Sequence, residues 1–333
     1  MNKKVLILIP LLLIVVIFGI SYYNYILRNS ERFTGVKKRM VVAIVPKSLD
    51  NPFFFDVKKG AQAAGKELDI AIKWAGPSST DTNTQIAIIE GLIQEKVDGI
   101  LISANSPTAL NYVINKAVRS GIKVATFDSD SPDSNRYFYI GTHNYAAGYK
   151  CGEIMKKLIK DSGLTKKTIH VTALSGTKGS NNLDERIKGL TDAIAESNIV
   201  IDEILYCDDD ANTAISRIGN AMLKNGNLDA WVMLGGWPFY NPEITLSPLY
   251  ELKKRGGFVI GIDTVLPVLK FVKSGVVDVL VGQNAYEMGK KGVTQLSRLI
   301  NGEDLENKII YTGLEIVDHI NIDEVINEKS KDN

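Results

Sequence analysis

Soft-ligand chemistry is scarce in this chain: Cys151 and Cys207 are its only cysteines, and His143, His170 and His319 its only histidines. None of them falls in a metal-ligand spacing and there is no Cys-x-x-Cys, so neither a metal nor a redox motif is expected. The cysteines read as buried single thiols, and their separation in sequence does not fix whether they pair. Charge of one sign is lacking too, since 39 basic residues face 38 acidic ones. With no basic block in the body of the chain, a nucleic-acid surface is disfavoured. A Gly-x-Ser-x-Gly elbow and a phosphate-cradling Gly-x-x-x-x-Gly-Lys-Ser/Thr loop are absent. These gaps argue against an enzyme acting on a sugar or nucleotide and against any cofactor. A small neutral ligand or a protein partner fits better.

One long apolar run is present. After Lys3 and Lys4, every residue from Val5 to Leu27 is uncharged; as a helix it would rise about 34 Å, enough for a hydrocarbon core. The preceding lysines favour a cytoplasmic N-terminus, and Tyr22, Tyr23 and Tyr25 suit an outer interfacial belt. The reading is a retained anchor at 1–27 that holds the body on the extracytoplasmic face, with a cleaved signal peptide, cut near Gly19 to Ser21, as the rival. No helix-turn-helix precedes Met40, which argues against a repressor.

Residues 28–39 are polar and charged and read as a linker. From Met40 onward, β-rich runs alternate with amphipathic helical runs. Strands are expected at 40–45, 70–74, 99–103, 123–127, 137–141, 168–173, 201–206, 230–234, 258–262 and 277–281. Helices are expected near 54–68, 83–95, 107–120, 145–160, 183–195, 212–223, 246–254, 265–273 and 287–300. Such alternation implies parallel sheets with helices on both faces, and two sheets fit the length better than one of ten strands.

Ligands in this class sit outside the carboxyl ends of the strands. The segments at those ends, among them "PKSLDNPFF", "DSDSP", "SGTKGSNN", "CDDD", "GGWPFYNP", "DTV" and "GQNA", are rich in carboxylates, amides and rings. A sugar ring has apolar C–H faces and a rim of hydroxyls, so its pocket needs flat aromatic walls and a belt of ionised or amide groups. Phe53 and Phe54 offer a wall; Asn51, Asp128, Arg186, Asp263 and Gln283 offer the belt. Each has a plainer reading as well. The Phe53 to Phe55 run packs a core equally well, Asp128 and Asp263 suit helix N-caps or turns, and Arg186 alone suggests a solvated salt bridge. Trp231 reads as core and Trp237, in a Gly-Gly-Trp-Pro loop, as a second wall.

At "LDNPFF", "TFDSD", "NNLDERIKGL", "IGID" and "VGQNA" the chain resembles the periplasmic sugar-binding proteins of the ribose, xylose and galactose type, over residues 40 to 320. The resemblance implies the type I periplasmic-binding-protein fold: two doubly wound α/β parallel-sheet lobes joined by a three-crossover hinge, which close on a sugar. The crossovers are expected near Thr142 to Asn144, Gln283 to Asn284 and Thr312 to Leu314. That gives one lobe from 40–142 and 284–312 and another from 143–283 and 313–333, in addition to the N-terminal transmembrane helix. It further implies ligand contact by Asn51, Phe53, Phe54 and Asp128 from one lobe, by Arg186 and Asp263 from the other, and by Gln283 at the hinge. Ser129, Asp209 and Gly235 stand where the ribose branch has an arginine, a ring and an amide, which disfavours ribose. "VPK" and "TFDSDSPD" look more like the branch that binds rhamnose or autoinducer-2, which brings Lys47 to the ligand. Together with the anchor, the chain looks like the membrane-anchored xylose-binding sensors that partner a sensor histidine kinase. The expectation is therefore a monosaccharide receptor, for a pentose with D-xylose first. The alternatives are the substrate-binding subunit of a sugar ABC importer, working with a permease, or an autoinducer-2/rhamnose-type binding protein. A dimer within the complex with the partner is compatible with each.

Overall fold

The computed structural model describes residues 16–26 and 39–331. Residues 16–26 form a helix, α1, with Val16, Ile17, Phe18 and Ile20 exposed. Most of the expected span at 5–27 and nearly all of the linker at 28–39 lie outside the described residues. Among those described, no helix is long and apolar enough to cross a membrane.

From Val41 on, two six-stranded sheets carry the structure. The first contains β1 (Val41–Val45), β2 (Ala71–Trp74), β3 (Gly99–Ile102), β4 (Lys123–Phe127), β5 (Tyr139–Gly141) and β11 (Ile309–Tyr311), in the order β11-β5-β4-β3-β1-β2 and parallel throughout. The second contains β6 (Ile169–Ser175), β7 (Ile199–Tyr206), β8 (Ala230–Met233), β9 (Phe258–Ile262), β10 (Val279–Gln283) and β12 (Leu314–Asp318), in the order β12-β10-β9-β8-β6-β7. Here β12 runs antiparallel to β10, which corrects the all-parallel expectation. The cause is directional. β11 runs toward the facing lobe, the chain turns at Gly313 (φ +80°), and a strand entering the second sheet from that end must run against its neighbours. Neither edge strand was expected, because Ile309 and Tyr311 are half exposed and Ile316 is exposed, which blurs the alternation a strand normally displays.

Helices cover the sheets: α2 (Phe53–Glu67), α3 (Thr82–Glu95), α4 (Asn111–Arg119), α5 (Asn144–Ser162), α6 (Asn181–Ile194), α7 (Ala211–Lys224), α8 (Ser247–Lys254), α9 (Leu266–Lys273), α10 (Ala285–Ile300) and α11 (Ile322–Lys331). The helix expected from 107 starts only at Asn111, and α11 was not expected. In the first lobe, Ala43, Val45, Ile100, Ile102 and Val124 pack on Ile89, Leu92 and Val113. In the second, Ala173, Val232 and Ile260 pack on Cys151, Met155 and Leu190. Cys151 and Cys207 are both buried free thiols, each pushed up to about 12, first by desolvation.

The chain changes sheet three times, between β5 and α5, between β10 and α10, and between β11 and β12. At two of these points a side chain caps the helix that follows. His143 Nδ1 accepts from Ala146 N at 3.2 Å, and Asn284 Oδ1 accepts from Glu287 N at 3.2 Å. Glycine pairs bring helices into backbone contact beside the crossings. A Cβ on Gly289 would lie 2.0 Å from the Val57 carbonyl oxygen, and one on Gly148 would lie 1.9 Å from that of Arg186. The α5–α6 contact thereby sets the height of Arg186 at the crossing.

Gly148→Val is therefore expected to lower the unfolding free energy by about 1–3 kcal/mol through overpacking. Gly219→Ala in α7, where no atom lies within 4 Å of the added carbon, should leave it unchanged or raise it by up to about 1 kcal/mol. Urea denaturation of both variants checks the contrast.

Candidate ligand cleft between the lobes

Every parallel strand ends facing the other lobe, so the loops that leave them meet across one cleft. The loops of the first lobe are tied by Gln85, which is fully buried. Its Nε2 donates to Pro46 O (3.1 Å) and Ser103 O (2.8 Å), and its Oε1 accepts from Asn105 N (3.0 Å). The exits of β1 and β3 are thus fixed to α3. Four aspartates beyond the strand ends adopt left-handed backbone: Asp128 (φ +56°), Asp208 (+52°), Asp209 (+59°) and Asp263 (+93°). A non-glycine residue held this way costs about 1–3 kcal/mol, a strain typical of functional loops. Neither Asp128 nor Asp263 caps a helix; Val265 is the N-cap of α9, and Asp210, not Asp209, that of α7.

The structure brings Lys47, Asn51, Phe53, Phe54, Asp128, Arg186, Asp209, Trp237, Asp263 and Gln283 around a single chamber of about 40 Å³, joined there by Asn182, Leu183 and Gly235. Phe53 and Phe54 meet edge to face at 5.3 Å, and Phe54 meets Phe127 likewise at 6.0 Å. These two rings serve core and cleft together, and Phe55 points outward. Asn51 Oδ1 accepts from Phe53 N at 3.0 Å, an Asx turn that starts α2 and leaves the amide nitrogen to donate elsewhere.

At the hinge side lies a continuous polar line. Gln283 Nε2 donates to Asp263 Oδ1 (2.7 Å), while Gln283 Oε1 accepts from Thr142 Oγ1 (2.8 Å) and Arg186 Nη2 (2.6 Å). Arg186 also donates through Nε to Asn144 Oδ1 (2.9 Å) and through Nη1 to Leu234 O (2.8 Å). The remaining Asp263 oxygen accepts from Gly236 N at 2.8 Å. Arg186 is 2% exposed, which corrects the plain reading of a solvated salt bridge. Among the described residues no carboxylate lies within ion-pair distance of it.

The opposite side holds Trp237, Asp209 and Lys47. Trp237 was expected in a loop and lies in a short 3-10 turn, Trp237–Tyr240. Its ring covers Gly235 and Gly176, where an added Cβ would come within 2.5 Å and 2.6 Å of it. Gly235 is therefore small because the indole occupies that space. Lys47 Nζ reaches Asp209 Oδ2 at 3.5 Å across the cleft, and both side chains are buried.

Burial raises the Asp128 carboxyl above its usual range, against the pull of Lys47, Arg186 and the Ser103 hydroxyl. Tyr240 is pushed well above an ordinary phenol by burial first and then by the charge of Asp263 beside it. Among the described residues no cluster suits a metal ion. Asn182, Leu183 and Tyr240 were missed from sequence. Asn182 had a usable signal, since it precedes Arg186 by four residues and so shares its helix face. Its Oδ1 is buried without a hydrogen-bond partner, an arrangement that native structures rarely leave unexplained.

Residues 42–304 match the family model of the periplasmic binding protein domain, and the chain belongs to that family of extracytoplasmic binding proteins. It is a binding protein, not an enzyme. Among similar proteins, the ribose import binding protein of Haemophilus influenzae is 26% identical over 270 residues, covering 80% of this chain and 88% of the relative. Among solved structures, a solute binding protein from Burkholderia graminis in complex with D-arabinose is 33% identical with a TM-score of 0.79, covering 86% of this chain and 98% of that one. A structure of the XylFII–LytSN complex is 25% identical with a TM-score of 0.74, covering 85% of this chain and 98% of that one.

Arg186→Met removes three buried donors together. A loss of about 3 kcal/mol of stability is expected from the stranded acceptors and the unbalanced charge, measured by urea denaturation; a loss below about 1 kcal/mol would mean that the polar line carries little.

Proposed function

We propose that the cleft binds one monosaccharide, a pentose with D-xylose first, and that the two lobes close on it to signal to a membrane sensor histidine kinase. The observation that carries the reading is the makeup of the chamber. Ring walls from both lobes, a belt of Asp128, Asp263, Arg186, Gln283 and Lys47, and the partnerless Asn182 Oδ1 surround one small space. Hydroxyls donate to Asp128, Asp263 and Asn182 and accept from Arg186, Asn51 and Lys47. The C–H faces lie on Phe53, Phe54 and Trp237. A chamber of about 40 Å³ holds roughly three waters, so a single ring enters only as these side chains turn from one another toward it.

Closure requires that sugar bind the closed form better than the open one; a swing from mostly open to mostly closed needs about 10⁴-fold preference. The likeness to the XylFII–LytSN complex favours a kinase as partner. The likeness to a ribose import protein favours the second reading, in which the closed form docks on a permease. The anchor at 1–27 suits the first, because confining receptor and kinase to one membrane raises their effective concentration.

Three measurements test this. D-Xylose should raise the melting temperature of the full-length protein more than hexoses do, and Asp263→Ala should abolish that shift while keeping the fold; no response to any pentose or hexose contradicts the reading. Hydroxyls favour the ionised form of Asp128, so binding lowers its raised pKa. Affinity should then weaken as pH falls through a value above the ordinary ~3.9 of a carboxylate, and Asp128→Asn should flatten that limb in calorimetry. Full-length protein should leave membranes only with detergent, whereas release by high salt would contradict the anchor.

A further inference from the structure

Lys47 and Asp209 are more than two members of the belt. The strand order places them far from the crossovers. Lys47 follows β1, three strands from β5, and Asp209 follows β7, four strands from β10. At about 4.8 Å per strand these are lever arms of roughly 14 Å and 19 Å from the hinge. The hydrogen bonds of Gln283 lie on the axis side, where rotation moves atoms little. The Lys47–Asp209 contact lies where rotation moves them most. An opening of roughly 15° separates the pair by about 4–5 Å, enough to end an ion pair now at 3.5 Å.

Both ends are held ready before they meet. Asp209 Oδ1 accepts from Thr177 N at 3.2 Å, which aims Oδ2 at Lys47. The Lys47 backbone is fixed by Asn105 Nδ2, which donates to its carbonyl at 3.3 Å. Lys47 also pulls on the buried Asp128 carboxyl; among the described residues, Asp209 is the only carboxylate within ion-pair distance of Lys47. The contact is made by the protein's own side chains, one from each lobe, and needs no bridging sugar atom.

We infer that the Lys47–Asp209 pair is a latch at the mouth of the cleft that sets how far the lobes stand open before sugar arrives. This rests on the two-lobed sugar receptor proposed above and adds a regulation of its site. A latch raises the closed fraction at rest. It therefore tunes the sugar concentration at which the receptor responds and the signal it gives without sugar, because apparent affinity scales with the competent fraction.

The test uses full-length protein with no sugar added, spin-labelled at Tyr112→Cys on α4 and Leu223→Cys on α7, both exposed, while the native cysteines are buried. Pulsed electron–electron resonance reads the distance between lobes. Lys47→Met should move the distribution several ångströms to longer distance. The exchanged pair, Lys47→Asp with Asp209→Lys, should bring it back toward the parent. Unchanged distances in Lys47→Met overturn the latch, as does an exchanged pair that stays as open as the single variant. Adding pentoses and hexoses, D-xylose first, to the labelled parent is a separate arm: if none binds or shifts the distance, the sugar reading fails while the latch result stands by itself.

Discussion

The structure depends on a guanidinium buried where two lobes meet. Among the described residues Arg186 has no carboxylate partner at ion-pair distance, yet its nitrogens are matched to Asn144, Leu234 and Gln283. Burying such a charge without acceptors would be prohibitive. The solution uses two of the three crossings at once: Asn144 follows the first, Gln283 precedes the second, and Thr142 joins them through the same Gln283 oxygen. The hinge is therefore defined by polar bonds close to its axis. Across the chamber the charge of Arg186 acts on the Asp128 carboxyl, a group a hydroxylated ligand would meet.

From that axis the rest of the site follows. Glycines at the α5–α6 contact let Arg186 sit low enough to reach both crossings, and Gly235 and Gly176 make room for the indole of Trp237. Of the left-handed aspartates at the strand ends, Asp128, Asp209 and Asp263 line the chamber. The cleft combines rings with charged and amide groups around one chamber, which suits the apolar faces and polar rim of a sugar.

Much of the fold was legible because parallel strands are buried on both faces and read as short apolar runs, as "VVAIV" and "FVIGI" do. The edge strands Ile309–Tyr311 and Leu314–Asp318 were not legible, because Val317 is their only buried residue and their direction is fixed by the hinge, not by local pattern. Of the candidate site, residues at strand exits were visible by position together with a family likeness. Tyr240 was invisible, since its role comes from a 3-10 turn that carries it to Asp263. Asn182 was overlooked although its four-residue spacing from Arg186 marked it. Its lack of a partner can be seen only in three dimensions.

A crystal structure of the protein grown with D-xylose tests the central claim most directly. The account predicts one pyranose ring between Phe54 and Trp237, with hydroxyl oxygens within hydrogen-bond distance of Asp263, Arg186 and the formerly partnerless Asn182 Oδ1. Sugar lying outside the cleft, or a ring inside it that leaves Arg186 bonded only to Asn144, Leu234 and Gln283 and Asp263 bonded only within the protein, would contradict it.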